Sequence, residues 1–289
     1  MENNTRISVI IPAYNASRYL AQCLECLFFQ SFKLLEIIVI DDGSTDNTTQ
    51  IARQFPVKLI EQKNKGVSAA RNAGINAASG EYIHFLDADD IINLNFYEKM
   101  LHAALLTDAD IACCGLVHER LPAISFSYQE SILVSATEDK MRLTNVGNQG
   151  YSVKYLFKKS LLDQHELLFD EDMQVAEDMV FSFKAVYWAN RIVTVPGATY
   201  YYKHRENSAM TTGGGLKRVD RRLKIQEAKK RRDKFARENN IFVIGLPSKQ
   251  DISYKLFGFI PFFKKRIFDT GRIRWYLFGI CVMQRKKMN

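Results

Sequence analysis

Between residues 6 and 118 the chain alternates between two periods. Short aliphatic and β-branched runs ("RISVIIPAY", "LEIIVIDDGS", "VKLIEQ", "EYIHFLDADD", "ADIACCGLV") are separated by segments with apolar residues at helical spacing ("NASRYLAQCLECLFFQSF", "TDNTTQIARQF", "VSAARNAGINAA", "LNFYEKMLHAALLTD"). The run "LEIIVI" is apolar almost without a break, which marks a strand covered on both faces. Strand and helix repeated with short connections predict a parallel sheet flanked by helices. Asn15 or Ser17 is placed to cap the first helix, and Thr45 or Asp46 the second. The beat stops near residue 118, and residues 119 to 150 show no assignable period. It resumes with "SVKYLFKKSLL", a helix at "AEDMVFSFKAVYWAN" and a strand at "RIVTVPGATYYYK". Beyond a glycine-rich hinge, "TTGGG", the stretch "LKRVDRRLKIQEAKKRRDKFARENN" predicts a long basic helix, and the end of the chain mixes aromatics with cations.

Charge divides the chain sharply. Residues 1 to 202 hold 17 Lys and Arg against 25 Asp and Glu, whereas residues 203 to 289 hold 23 against 7. An acidic body with a basic tail implies an anionic partner, either a membrane surface or nucleic acid. Nucleic acid is disfavoured: no RNP-type, helix-turn-helix or zinc-finger pattern is present, and the acidic body would repel phosphate. Cations beside "FGFIPFF" and "WYLFGI" suit a segment lying at a bilayer interface, the alternative being a charged solvated face with a small packed subdomain. Cys23 and Cys26 form a C-x-x-C, but no second pair or His cluster completes a zinc site, so buried reduced thiols are expected. The start lacks the basic and apolar regions of a signal peptide, and no run of 18 apolar residues occurs, so a cytoplasmic location is expected, with the basic tail at the inner face of the membrane.

Ligands of an open parallel sheet sit at the carboxyl ends of its strands. The polar clusters fall there: Pro12-Ala13-Tyr14-Asn15, Asp41-Asp42-Gly43-Ser44, and Asp87-Ala88-Asp89-Asp90. Between them, "NKGVSAARNAG" sets Lys65 and Arg71 around a helix start, where backbone N–H groups favour an anion. Acceptors for a base and ribose, cations for phosphate and carboxylates for a hard metal together suit a nucleotide diphosphate with Mg²⁺ or Mn²⁺. Each cluster alone has a plainer reading: Asp87-x-Asp89 as helix-capping aspartates, "DDGSTD" as a polar turn, "AEDMVF" as acidic residues near a helix N-terminus. Neither G-x-G-x-x-G nor G-x-x-x-x-G-K-[ST] is present, which argues against NAD and a P-loop.

Order and spacing weigh more than any single cluster. The stretches "SVIIPAYN", "EIIVIDDGSTDNT", "NKGVSAARNAG", "GEYIHFLDADD" and "LLFDEDMQVAEDMVFSFKAV" resemble, in that order, the family 2 inverting, metal-dependent glycosyltransferases with the GT-A fold. The resemblance spans about residues 6 to 210. It implies a Rossmann-like, mostly parallel sheet flanked by helices, with a catalytic domain at 1–214 (nucleotide half 1–118, acceptor half 119–214). A basic, aromatic, helical region at 215–289 would follow. By carry-over of the motifs, Pro12, Tyr14 and Asp42 line the base pocket, Asn64, Lys65 and Arg71 flank the nucleotide, Asp87 reaches the ribose or metal, and Asp89 binds the metal. Asp178 is the general base beside a supporting Glu177. His204 and Arg205 belong to a lid over the diphosphate, His204 being open also to a reading as an exposed strand-end histidine. The implied reaction moves a sugar from a UDP-sugar to a glycan or lipid-linked acceptor in lipopolysaccharide, lipooligosaccharide or capsule assembly. A non-catalytic sugar-nucleotide binding protein on the same fold is the alternative. A nucleotidyltransferase lacks support because its glycine-rich N-terminal loop is absent.

Overall fold

The computed structural model describes residues 6–203 and 215–241, and the backbone of four further strands between residues 250 and 286. The predicted alternation is realised as β1 (Ile7–Ala13), α1 (Leu20–Phe28), β2 (Leu35–Asp41), α2 (Thr48–Ala52), β3 (Lys58–Glu61), α3 (Val67–Ala77) and β4 (Tyr82–Phe85). A two-residue β5 (Ile91–Ile92) precedes α4 (Phe96–Thr107) and β6 (Ile111–His118). The region without assignable period holds only short pieces, a 3₁₀ turn (Pro122–Ile124), β7 (Leu133–Val134) and α5 (Thr137–Thr144). After it come β8 (Tyr155–Lys158), α6 (Lys159–Gln164), α7 (Glu177–Trp188) and β9 (Ile192–Tyr202).

The sheet runs in the order β3-β2-β1-β4-β8-β6-β9-β5, with β7 also on β9. Strands β3, β2, β1 and β4 are mutually parallel, and so are β6 and β9. The uninterrupted parallel order read from the alternation stops there: β8 is antiparallel to both β4 and β6, and β5 and β7 are antiparallel to β9. The reason is local. "SVKYLFK" reaches the sheet through an irregular segment rather than a crossover helix, so nothing imposes the parallel direction on it.

Alternation along the central strands explains their continuous hydrophobicity. Val9 and Ile11 pack into the layer that contains Leu20, Leu24 and Leu27 of α1 and Phe96 and Met100 of α4. Ile10 and Ile40 face the other way, onto α3, where a Cβ on Gly74 would lie 2.3 Å from Ile10 Cγ2. Only a residue without a side chain lets α3 lie this close to the sheet. Under α7 a second cluster forms from Phe85, Phe169 and Phe181, the last two stacked at 4.0 Å.

One local expectation changes. Helix α1 starts at Leu20 without a side-chain cap. Asn15 and Ser17 instead join the first loop to the second: Asn15 Oδ1 accepts from the Thr45 N–H at 2.8 Å, and the Ser17 N–H donates to Asp46 Oδ2 at 3.1 Å. Asp46 does serve α2, accepting from the Thr48 N–H at 3.0 Å. Cys23 and Cys26 are free thiols directed at the carbonyls of Asp87 and Ile92.

The chain divides into two compact units, residues 1–232 and 233–289. Helix α8 (Gly215–Glu238) confirms the basic helix, and most of it belongs to the first unit. The helical reading of the rest of the tail is corrected. Residues beyond it form β10 (Gln250–Leu256), β11 (Ile260–Ile267), β12 (Arg272–Leu277) and β13 (Ile280–Lys286), an antiparallel sheet in sequential order. Their composition agrees with this outcome, since "IPFFKKRI" and "RIRWYL" are rich in β-branched and aromatic residues. Among the described residues no helix is long and apolar enough to cross a membrane.

Candidate active site

A cleft of about 500 Å³ opens at the carboxyl ends of β1, β2 and β4. Pro12 and Tyr14 come to it from β1, Asp42 from β2, Asp87 and Asp89 from the loop after β4, Arg71 from α3, and Glu177 and Asp178 from the first turn of α7. Residues from five separate sequence motifs therefore share one cavity. Asn64 and Lys65 are exposed on the flanking loop, and what Lys65 gives the site is its backbone N–H. His204, Arg205 and the "TTGGG" hinge at 211–215 fall at positions outside the described side chains.

Asp42 is a built acceptor. Its Oδ1 takes hydrogen bonds from Gln62 Nε2 at 2.7 Å and the Lys65 N–H at 2.8 Å, and its Oδ2 from the Gly66 N–H at 2.8 Å. Gly43 makes the arrangement possible. With φ +75 it turns the chain after Asp42, and a Cβ there would sit 2.8 Å from the Asn64 nitrogen.

The three carboxylates at 87, 89 and 90 do not act as one cluster. Asp87 Oδ1 is met by Arg71 Nη2 at 3.0 Å. Asp90 is buried on the far side of the loop, where Tyr200 donates its hydroxyl at 2.6 Å and the Lys203 backbone N–H donates at 2.7 Å. Burial, then the nearby Asp87 and Asp89, push the Asp90 pKa upward. The Tyr200 oxygen also accepts from the Asp87 N–H at 3.3 Å, so β9 holds this loop at two points. Like-charge crowding is thus relieved by an arginine, by burial and by direction, leaving Asp87 and Asp89 facing the cleft.

Arg71, which the motif sets beside the nucleotide, does line the cleft, and its charge already has partners. The guanidinium is buried beneath the cleft, donating to Asp87 and, at 2.7 Å, to Glu177 Oε1, with Phe169 stacked at 5.2 Å. Burial opposes its charge, but Asp87 and Glu177 outweigh burial and hold its pKa above the ordinary value. Arg71 therefore ties the loop after β4 to the N-terminus of α7, 106 residues away in sequence.

Asp178 projects from the first turn of α7, directly after Ala176, which adopts a left-handed φ of 61. The cleft walls take Asp178 largely out of water. Burial raises its pKa to about 7, Glu177 adds to the rise, and Arg71 opposes it. A carboxylate poised near neutrality can accept a proton from a bound hydroxyl. A helix N-terminus would by itself lower this pKa, so burial has won.

Cleft residues with no local signature complete the wall: Gly150 and Tyr151 from the irregular region, Gln174 before α7, Tyr202 at the end of β9, and Arg221 and Ile225 of α8. The pattern around each is that of an ordinary loop or helix. Gly150, Tyr151, Gln174 and Tyr202 fall in the expected acceptor half, 119–214, and Arg221 and Ile225 in the basic tail beyond it.

The sequence profile described as "Glycosyl transferase family 2" matches residues 8–165, more than half of the chain. The chain belongs to that family. The uncharacterized glycosyltransferase EpsJ of Bacillus subtilis is 30% identical over 213 residues, covering 70% of this chain and 62% of EpsJ. The succinoglycan biosynthesis protein ExoO of Rhizobium meliloti is 31% identical over 215 residues, covering 70% of this chain and 62% of ExoO. The match thus spans a little under two thirds of either relative. A crystal structure of S. aureus TarS 1-349 in complex with UDP-GlcNAc superposes with a TM-score of 0.68 at 25% identity, covering 78% of this chain and 66% of that one. TarS is a poly(ribitol-phosphate) β-N-acetylglucosaminyltransferase. The mostly parallel, helix-flanked sheet of this family 2 chain is the GT-A architecture that its motifs implied.

Proposed function

We propose that the chain catalyses inverting transfer of a sugar from a nucleotide diphosphate, most readily a UDP-sugar, to a hydroxyl of a surface glycan. One observation carries the reading: Asp42, Asp87, Asp89 and Asp178 line a single cleft at the rim of the sheet. Asp42, with Pro12 and Tyr14, suits the base, since a fixed carboxylate can accept from a ring N–H. Asp178 takes the proton of the acceptor hydroxyl as that oxygen attacks the anomeric carbon from the side opposite the leaving diphosphate. The bond to the diphosphate breaks in the same step, so the configuration inverts and no covalent enzyme intermediate is needed. Arg71 and Glu177 position this base relative to the loop that holds the donor.

Mn²⁺ or Mg²⁺ fits the donor set. Among the described residues no three metal-ligating side chains converge, so an all-protein cage is absent. Asp87 and Asp89 offer the one or two carboxylates of a hard cation that completes its shell with diphosphate oxygens and water. Bound there, the ion would offset the negative charge that builds on the departing diphosphate.

Lipopolysaccharide, lipooligosaccharide or capsule assembly is the proposed setting, supported by the similarity to ExoO, a succinoglycan biosynthesis protein, and to TarS, a poly(ribitol-phosphate) β-N-acetylglucosaminyltransferase. The excess of 23 cationic over 7 acidic residues in 203–289 supports attachment to an anionic membrane surface on the cytoplasmic side. Calorimetric titration with UDP, with and without Mn²⁺, and a UDP-sugar panel read by UDP release test the reading. Metal-dependent UDP binding is expected, and it should vanish in Asp89→Ala. UDP affinity indifferent to both metal and Asp89 would remove the proposal.

A further inference from the structure

Side chains of α8 converge on the first turn of α7 and on the loop that leads into it. The buried Arg232 guanidinium donates to the Gly147 carbonyl, and its Nη1 lies 3.8 Å from Met179 Sδ. Ala228, one turn earlier, is buried in a cluster with Met173 and Val180, against which Ala176 packs. Lys224 Nζ donates to Gln174 Oε1 at 2.8 Å, and Arg231 holds Asp172 at 2.8 Å and Asp170 at 3.2 Å. Burying a guanidinium is costly unless hydrogen bonds replace the lost water, so Arg232 marks a built contact.

A second contact falls on the same residue of α7. A Cβ on Gly150 would lie 2.4 Å from Met179 Cα and 3.0 Å from Met179 Cβ, so the backbone at Gly150 rests directly on the helix. Arg232 completes the junction, because the carbonyl it holds belongs to Gly147, in the same segment as Gly150. Met179 follows Asp178 directly, and Gly150, Asp178 and Met179 all line the cleft. The turn needs such support. Ala176 enters it with a left-handed φ of 61, a conformation that a β-carbon disfavours and that persists only where its surroundings impose it. Arg71 of α3 grips the turn at Glu177, while α8 and the 147–150 segment grip it at Ala176, Met179 and Val180. Asp178 stands between the two grips.

We propose that Arg232 and Gly150 are positioning residues for sugar transfer, acting through Met179 to fix the place of the Asp178 carboxylate. This rests on the reading of Asp178 as the base. Helix α8 then has a second task besides carrying positive charge: it is part of the transfer machinery, although it lies beyond residue 165, where the match to the family profile ends. A base works only within hydrogen-bond reach of the hydroxyl it deprotonates. A shift of about 1 Å caused by a change far from the chemistry can lower the rate about a hundredfold. Donor binding should be spared, because the Asp42 carboxylate is held by Gln62, Lys65 and Gly66.

The test uses the full chain with Mn²⁺ and the UDP-sugar from which the wild type releases UDP fastest. Calorimetric titration with UDP counts the competent donor sites, and turnover is expressed per site, so partial unfolding does not enter the comparison. Arg232→Leu and Gly150→Ala should each lower kcat by about 10- to 100-fold, with the UDP Kd and the donor KM within about twofold of wild type. Arg232→Lys can still donate to the Gly147 carbonyl and should recover part of the loss. Lys229→Gln, an exposed charge on the same helix, should leave turnover unchanged. Should Arg232→Leu fail to fold, Gly150→Ala and Arg232→Lys carry the test. Wild-type turnover per site in Gly150→Ala, a loss of UDP affinity that matches the loss of turnover, or a Lys variant no better than the Leu variant would overturn the proposal. No UDP release by the wild type from any sugar, or full turnover in Asp178→Asn, is a different result and strikes the functional reading itself.

Discussion

Replacing Asp178 by Asn should make the protein more stable and inactive, and the stability gain should depend on pH. Burial and Glu177 lift the Asp178 pKa from an ordinary 3.8 to about 7 in the folded chain. Below pH 3.8 the carboxyl is protonated folded or unfolded and costs nothing. Between 3.8 and 7 the unfolded chain releases the proton while the folded chain keeps it, so folding loses about 1.4 kcal/mol for each pH unit. Above 7 both states are ionised and the cost levels off near about 4 kcal/mol, an upper value because the cleft admits some water. Asparagine carries no charge at any pH. Relative to wild type, its advantage should therefore grow by about 2–3 kcal/mol between pH 5 and pH 8, then stay flat. At about 2–4 °C per kcal/mol for a body of this size, that is a difference of several degrees between the two Tm shifts. Differential scanning calorimetry at both pH values reads it, with UDP titration confirming an intact donor site and UDP release confirming loss of transfer. An equal Tm shift at pH 5 and pH 8 would refute the burial of this carboxylate, and full turnover in the variant would refute its role as base.

Two further outcomes test how the site is supported. Gly74→Ala puts a methyl 2.3 Å from Ile10 Cγ2 and 3.0 Å from Ile40 Cδ1; overpacking costs about 1–3 kcal/mol against about 1 kcal/mol regained from helix propensity, so a lower urea midpoint is expected, and a raised one would show that α3 can shift on the sheet. Tyr200→Phe removes the hydroxyl shared by Asp90 and the Asp87 N–H; a loss of about 1–3 kcal/mol should come with a higher Mn²⁺ requirement for UDP binding, and an unchanged requirement would mean that β9 does not set the loop carrying Asp87 and Asp89.

The rim of the sheet is legible in the sequence because its chemistry is local. Pro12 sits at the end of β1, and Asp42 and Asp89 follow β2 and β4; the hydrophobic runs of these strands can be read directly, and parallel strands bring their carboxyl ends to one rim. Asp178 was found through the order of motifs rather than through its own surroundings, where two acidic residues at a helix start have an ordinary explanation. The partners of Arg71 are hidden for a related reason. A cation at the start of α3 reads as available for phosphate until Glu177, 106 residues further on, is seen to occupy it.

The sequence by itself determined the alternating architecture, the rim clusters and the basic helix, since periods of 2 and 3.6 and the position of polar residues after strands are properties of neighbours along the chain. Tertiary structure alone decided the antiparallel insertion of β8, the division of labour among Asp87, Asp89 and Asp90, the pKa of Asp178 and the place of α8 in the cleft wall. Each of these depends on which distant groups share a low-dielectric space. Charge, burial and contact across the fold leave no periodic trace in the order of residues.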